Sequence, residues 1–402
     1  MQRNPHRRPQ RSTYRRVRHE AEPAPDAAAV AGLSAPPRRV RWRRSYAFVG
    51  VPLLLLAVLG FIIVPAVIRA RTAYSRIFVT PMPRVQIAPN ASGTPVIVAI
   101  NGTRTPATPS TTQSAAPGGL TLPATPSATP NPLDAIPDWN GKDRVNILLL
   151  GVDSTPARRA QGEPPLSDTM IVVSINPADK TVGMLSIPRD LLVTIPNYGD
   201  DKINAAFSNG ERSKLTGPGL VTATIEYNFD IPISYFAEVD LAGFQQIVDT
   251  LGGVTIDVQA PLKDDEYPAD NFNYTRLLFH TGLQHMDGVT ALHYARSRHD
   301  DNDFGRGNRQ QQVLKALRAQ AESLDTITKA PALLSTLAGS FRTDLSPTQL
   351  LALAKLGVGI PAGNIHSYNL LSAISEQNDY RGYYLIPNWP KIQQIVTQLT
   401  SG

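Results

Sequence analysis

Arginine and aspartate recur in short blocks between apolar runs over residues 151–311 of this 402-residue chain. The blocks are Gly151-Val152-Asp153, Ser167-Asp168-Thr169, Ser186-Ile187-Pro188-Arg189-Asp190, the run Asp201 to Ala206, and Arg296-Ser297-Arg298. The last is followed by Asp303-Phe304-Gly305-Arg306 and by Arg309-Gln310-Gln311. A guanidinium is a permanent cation with a planar fork of donors, which suits phosphate oxygens. Carboxylates among such groups either neutralise them or hold a hard cation such as Mg²⁺. A site containing both has the chemistry that a diphosphate requires.

Each block also has a plainer explanation. Asp153 ends an apolar strand, where open α/β sheets place ligand groups, and Asp168 opens the next strand; each is equally a cap or turn residue. Taken together at adjacent strand ends, they are placed to share one Mg²⁺, or Mn²⁺ in its stead. Arg189 follows an apolar strand. Arg296 and Arg298 close a helix, where cations also suit the dipole. Arg306 and Arg309 follow within eleven residues of Arg298. Four such cations repel unless an anion, or Asp300, Asp301 and Asp303, lies between them, so an anion site and a solvated mixed-charge loop both fit locally.

The elements that position these blocks follow from apolar spacing. Runs at 145–151, 169–176, 181–187, 234–239 and 254–258 read as strands rich in β-branched residues. The run 241–251 has helical spacing and stops at Gly252-Gly253. Asp287 caps a helix over 288–294, another starts near Arg306 and passes Leu317, and 347–356 and 389–399 add two more. This order predicts an α/β or α+β sandwich with one central sheet.

Charge is divided unevenly. Residues 1–45 hold 12 Arg and 3 acidic residues, whereas residues 143–402 hold 21 Lys and Arg against 28 Asp and Glu. The pI near 9.5 thus comes from the tail, and an acidic domain offers no broad basic surface for nucleic acid. No cysteine is present, which excludes disulfides, thiolate metal sites and a cysteine nucleophile. No phosphate-loop, dinucleotide, nucleophile-elbow or H-E-x-x-H motif occurs, and His280, His285, His293 and His299 lack zinc spacing. His293 reads as a packing residue.

Residues 45–68 run for 24 positions without a charge, enough to cross a hydrocarbon core of about 30 Å. The arginine-rich residues 1–44 form a disordered tail and place the N-terminus inside. Residues 69–137, dominated beyond 102 by Thr, Pro, Ser, Ala and Gly, read as an outside spacer with a short β-like run at 94–100. The folded domain is expected over 138–402, with its core at 144–320.

The blocks together resemble the LytR-CpsA-Psr family of bacterial cell-envelope proteins. The likeness is carried by NILLLGVD, LSDTMIVVSIN, MLSIPRDLLVTIP, DKINAAFSNG, FQQIVDTLGGVTIDV, GLQHMDGVTALHYARSR and DFGRGNRQQ. It implies an αβα fold with one central mixed sheet behind a single membrane span. It implies a phosphotransferase that moves a phosphoglycopolymer from a polyprenyl diphosphate carrier to peptidoglycan. By the same resemblance, Asp153 and Asp168 match the carboxylates associated with Mg²⁺. Arg189, Arg296, Arg298, Arg306 and Arg309, with Gln310, match the diphosphate-binding set, and Arg189 joins the two aspartates as catalytic. In one departure, Leu166 stands where the family often has arginine, a place that Arg158 or Arg159 of the preceding loop could fill. A non-catalytic holder of the lipid-linked glycan and a pyrophosphatase using water share this site.

Overall fold

The structure is a computed structural model that describes residues 74–90, 92–103, 136–154, 162, 164–268, 274–297, 303–321, 337, 339–380 and 382–401. The basic tail, the apolar span at 45–68, the Thr/Pro-rich spacer over 104–135, Arg158, Arg159 and Arg298 lie outside them. Among the described residues no helix is long and apolar enough to cross a membrane.

In chain order, β1 (Pro83–Pro89) and β2 (Pro95–Thr103) form an antiparallel hairpin. Long apolar strands β3 (Val145–Asp153), β4 (Leu166–Asn176) and β5 (Thr181–Ile187) follow, then the short pair β6 (Leu192–Ile195) and β7 (Gly199–Lys202). Helices α1 (Ala205–Glu211) and α2 (Gly217–Phe229) lead to β8 (Tyr235–Asp240), which runs directly into α3 (Leu241–Thr250). Strands β9 (Val254–Val258), β10 (Leu262–Pro268), β11 (Tyr274–Phe279) and β12 (Gly282–Met286) precede α4 (Gly288–Arg296) and α5 (Asp303–Ala321). The chain closes with β13 (Phe341–Thr343), α6 (Pro347–Val358), β14 (Ile365–Tyr368), β15 (Ile374–Asp379), β16 (Gly382–Pro387) and α7 (Trp389–Ser401).

The central sheet has six strands in the order β13-β8-β3-β4-β5-β14. It is mixed: β3 pairs parallel to β8 and antiparallel to β4, and β14 pairs parallel to β5. Side chains on a strand alternate between faces. On β3, Leu148, Leu150 and Val152 enter a core with Phe207, Leu220, Ile225, Phe229 and Ile392, from α1, α2 and α7. Val145, Ile147 and Leu149 enter another with Leu314, Leu353 and Ile360, on the side of α5 and α6. Helices thus cover both faces, and burying each such aliphatic side chain contributes roughly 1.5–3 kcal/mol. A third cluster joins Val248, Val254, Ile256, Ala291, Tyr294 and Val313, holding α3, α4 and α5 together beside the sheet.

Helix starts follow local chemistry. Asp240 and Asp287 accept the backbone N–H groups of Gly243 and Thr290, each at 2.8 Å, and Ser346 with Gln349 forms a capping box. Two element starts lie three residues earlier than the sequence reading: β4 begins at Leu166 instead of Thr169, and α5 begins at Asp303 instead of Arg306. In addition, β9 pairs with β12 outside the central sheet. Residues 74–103 also carry more structure than a spacer. Ile77 and Met82 are buried, and Val85 and Ile97 pack on the main core, because this otherwise polar segment places apolar residues at alternate positions.

Candidate active site

One cavity of about 530 Å³ opens between the central sheet and helices α3, α4 and α5. Its floor is Leu149, Gly151, Ile171, Ala237 and Val239; its walls include Phe244, Ile247, Leu292, Val313, Leu314 and Leu317. On α5, Arg306, Gln310, Val313 and Leu317 line it, a spacing that keeps them on one helical face. From Arg306 to Leu317 that face extends roughly 16 Å at 1.5 Å per residue. The cavity is therefore polar where α5 begins and apolar further along it.

A β-bulge shapes the polar end. Gly151 pairs with Thr169 and Val152 with Ser167, so Asp168 is the extra residue on β4. A bulge leaves one residue out of register and re-aims side chains. Ser167 is buried, while Asp168, Thr169 and Leu166 all line the cavity, Leu166 paired opposite Asp153. Gly151 permits this close pairing: a Cβ there would lie 2.8 Å from the Cβ of Thr169.

The charged groups form a connected network. Arg189 Nη1 lies 3.0 Å from Asp168 Oδ1, and its Nε lies 3.4 Å from Asp190 Oδ2. Lys202 Nζ holds the other Asp190 oxygen at 2.8 Å. Burial works to lower the Arg189 pKa, but Asp168 and Asp190 outweigh it and raise it above the ordinary arginine value, so the cation persists. Arg306, only 7% exposed, donates from Nη2 to the backbone oxygen of Asp168 at 3.3 Å and contacts Asp303 Oδ1 at 3.2 Å. Arg296 ends α4, where the helix dipole favours a cation; its Nη1 is 3.4 Å from the Tyr267 hydroxyl and its guanidinium lies over that ring. Burial raises the Tyr267 pKa despite Arg296, which keeps the phenol protonated. Gln310 donates to Thr169 Oγ1 at 2.8 Å and to the Ala295 carbonyl at 3.4 Å.

Asp153, Asp168, Arg189, Arg296, Arg306 and Gln310 thus meet at one cavity. Arg309 does not line it. It is 6% exposed, and its guanidinium donates to the carbonyls of Tyr294 (2.9 Å) and Ser297. Three residues after Arg306 on a helix, it faces a neighbouring direction and clamps the end of α4. His293 packs against the Tyr267 ring at 4.7 Å, and burial, then Arg296, lowers its pKa.

Sequence reasoning did not single out Asp264 or Tyr267, and it included Lys202 only within the run Asp201 to Ala206. Asp264, 1% exposed, lines the cavity and accepts from Ser297 Oγ at 2.8 Å, so Ser297 is held from both sides by Asp264 and Arg309. Asp264 and Tyr267 lie on β10, whose sequence LKDDEYP carries no apolar periodicity to mark it.

The carboxylates suit a hard cation. Asp153 Oδ1 is buried without a hydrogen-bond partner, an arrangement that costs about 1–3 kcal/mol or more until a cation or donor meets it. Among the described residues no three His, Cys, Asp or Glu groups converge on one point. Among the described residues the site offers one or two carboxylates, Asp153 and Asp168, a donor set that could hold Mg²⁺ together with phosphate oxygens and water.

The chain is similar to known proteins. The LytR_cpsA_psr family model matches residues 121–401. A polyisoprenyl-teichoic acid–peptidoglycan teichoic acid transferase, TagU of Oceanobacillus iheyensis, is 40% identical over 214 residues, covering 53% of this chain and 62% of that protein. The match therefore spans just under two thirds of that relative's length. The crystal structure of B. subtilis TagV is 29% identical with a TM-score of 0.52, covering 64% of this chain and 97% of that one. TagT bound to LIIa-WTA is 27% identical with a TM-score of 0.51, covering 68% and 92%.

Proposed function

The chain belongs to the LytR_cpsA_psr family, and from that membership and the shape of its cavity we propose that it transfers a phosphoglycopolymer from a polyprenyl diphosphate carrier to peptidoglycan. The observation that carries this reading is a single cavity, apolar for most of its length and rimmed at one end by Arg189, Arg296, Arg306 and two aspartates. About 530 Å³ lies within the roughly 300–1,000 Å³ typical of ligand pockets. The prenyl chain occupies the apolar part and the diphosphate the charged rim. The related TagU is a teichoic acid transferase by name, and a related TagT binds LIIa-WTA, which supports a lipid-linked wall polymer as donor.

In the proposed reaction an acceptor hydroxyl oxygen attacks the phosphorus that carries the glycan. The bond from that phosphorus to the bridging oxygen breaks, polyprenyl phosphate leaves with the electron pair, and the hydroxyl proton passes to a carboxylate or water. Charge grows on the bridging and non-bridging oxygens, where Arg189, Arg296 and Arg306 are positioned to stabilise it. Arg309 and Asp264 hold the Ser297 segment in place, and Gln310 ties α5 to β4. A Mg²⁺ or Mn²⁺ ion held by Asp153 and Asp168 would neutralise charge on the diphosphate. The anchor read at 45–68 keeps the domain, on the outer face of the cell membrane, beside its lipid donor.

A second reading is favoured by one observation. Leu166 lies opposite Asp153 on the cavity wall, where the family often has arginine, so among the described residues one cation fewer faces the phosphates. A protein that holds the donor without transferring its polymer would tolerate this loss.

The apolar cavity supplies a direct test of the donor assignment. Ala237 is a small residue on its floor. Ala237→Phe should weaken binding of a long polyprenyl diphosphate at least tenfold while inorganic diphosphate binds as before, with the thermal midpoint monitored for overpacking. Equal loss of both ligands, or of neither, would show that the lipid lies elsewhere.

A further inference from the structure

We propose that the β15–β16 hairpin is the surface that holds the acceptor glycan, an inference that rests on the transferase reading given above. The two strands pair with each other in a two-stranded sheet of their own. Such hairpins are marginal alone, so this one must be fixed by its surroundings. It is fixed at the phosphate site. The Leu385 N–H donates to the Asp190 carbonyl at 3.0 Å, Leu385 forms a parallel bridge with Leu191, and its side chain is buried in the main core. The base is closed by the Asn388 N–H on the Ala373 carbonyl at 2.8 Å.

Direct contacts run from the catalytic rim to the hairpin. Arg189 joins Asp168 to Asp190, Lys202 takes the second Asp190 oxygen, and Lys202 Nζ lies 5.2 Å from the centre of the Tyr384 ring. Tyr383, on the same strand, feels the carboxylates of both Asp303 and Asp190, the partners of Arg306 and Arg189. Burial first, then Glu376 and these two aspartates, raises its pKa, so it remains a hydroxyl donor. The hairpin therefore adjoins the charged rim assigned above to the diphosphate.

Its composition suits a sugar. Tyr383 is exposed and Tyr380, in the connecting turn, is 97% exposed. Aromatic faces of this kind present rigid amphipathic area at low entropic cost. Glu376, Gln377 and Asn378, exposed beside them, offer the carboxylate and amide groups that bind hydroxyls. The two strands contain Glu376 and Asp379 and no cation, and with Arg381 between them in sequence the hairpin is left with one net negative charge, which disfavours a phosphate-rich donor polymer and favours a neutral, hydroxyl-rich glycan strand.

The test uses the full-length protein in liposomes, with labelled lipid-linked glycan as donor and uncrosslinked peptidoglycan strands as acceptor. For Tyr383→Ala the acceptor KM should rise roughly tenfold, the size of one lost aromatic anchor. The donor KM should stay near wild type, and Tyr383→Phe, which keeps the ring, should lose less. Tyr380→Ala, a fully exposed position that folding tolerates, should raise the acceptor KM as well. Unchanged acceptor KM in both alanine variants, with transfer intact, overturns the hairpin assignment alone. Should wild type transfer nothing, the transferase reading fails. Co-sedimentation with the same strands then decides the hairpin: weaker binding of the variants supports it, and equal binding overturns it.

Discussion

Arg296→Ala should reduce transfer by roughly a hundred- to a thousandfold while the protein stays folded. The expectation comes from its place: the last residue of α4, on the cavity rim, held over Tyr267 and paired with no carboxylate that would neutralise it within 4 Å among the described residues. Removing one preorganised donor from developing negative charge costs about 2.7–4 kcal/mol, which gives that range. Arg296→Lys should recover only part, because the bidentate fork is lost. Arg298, outside the described residues, is expected to behave similarly as the second arginine of the same motif. Arg309→Ala should differ in kind, lowering the thermal midpoint because two carbonyls lose their buried donor. Rates of glycan transfer beside circular dichroism separate these effects. Wild-type transfer by Arg296→Ala would return the cluster to a solvated loop.

The second large effect concerns Asp168. Asp168→Asn removes the charge that faces Arg189 at 3.0 Å and one of the two proposed metal ligands. Transfer should fall by about a hundredfold or more, and the Mg²⁺ concentration for half-maximal rate should rise, with little loss of lipid binding. Asp153→Asn should act in the same direction and less strongly where water completes the coordination shell. The buried, unpartnered Asp153 Oδ1 gives this variant a second signature: loss of a buried charge should leave the apo protein as stable as wild type or more so. A wild-type rate that is unaffected by chelator would show that the aspartates serve to orient arginines and that no metal takes part.

Much of this site was legible because strand ends and helix ends are local. Asp153 after an apolar run, Arg189 after Ser186-Ile187-Pro188, and Arg296 at the close of a capped helix all follow from spacing. The resemblance to the family then joined them. What spacing could not show depends on partners distant in sequence. The bulge at Asp168 exists only as a register shift against Gly151 and Val152, so Asp168 read as opening a strand that in fact begins at Leu166. Arg306 and Arg309 are chemically alike in sequence; the helix turns one to the cavity and the other to the carbonyls of Tyr294 and Ser297. Asp264 and Tyr267 reach the site from a two-stranded sheet with no apolar periodicity of its own, and the docking of 74–103 depends on a core formed by later residues.

The most direct measurement follows both ends of the donor at once. Full-length protein in liposomes is given polyprenyl-diphosphate-linked glycan labelled in the sugar, Mg²⁺ and uncrosslinked peptidoglycan strands. The expected result is label bound to peptidoglycan together with an equal amount of polyprenyl monophosphate, neither forming without acceptor. Donor that stays bound and intact would identify a holder, and label released as free glycan phosphate without acceptor would identify a hydrolase; either outcome contradicts the transferase reading.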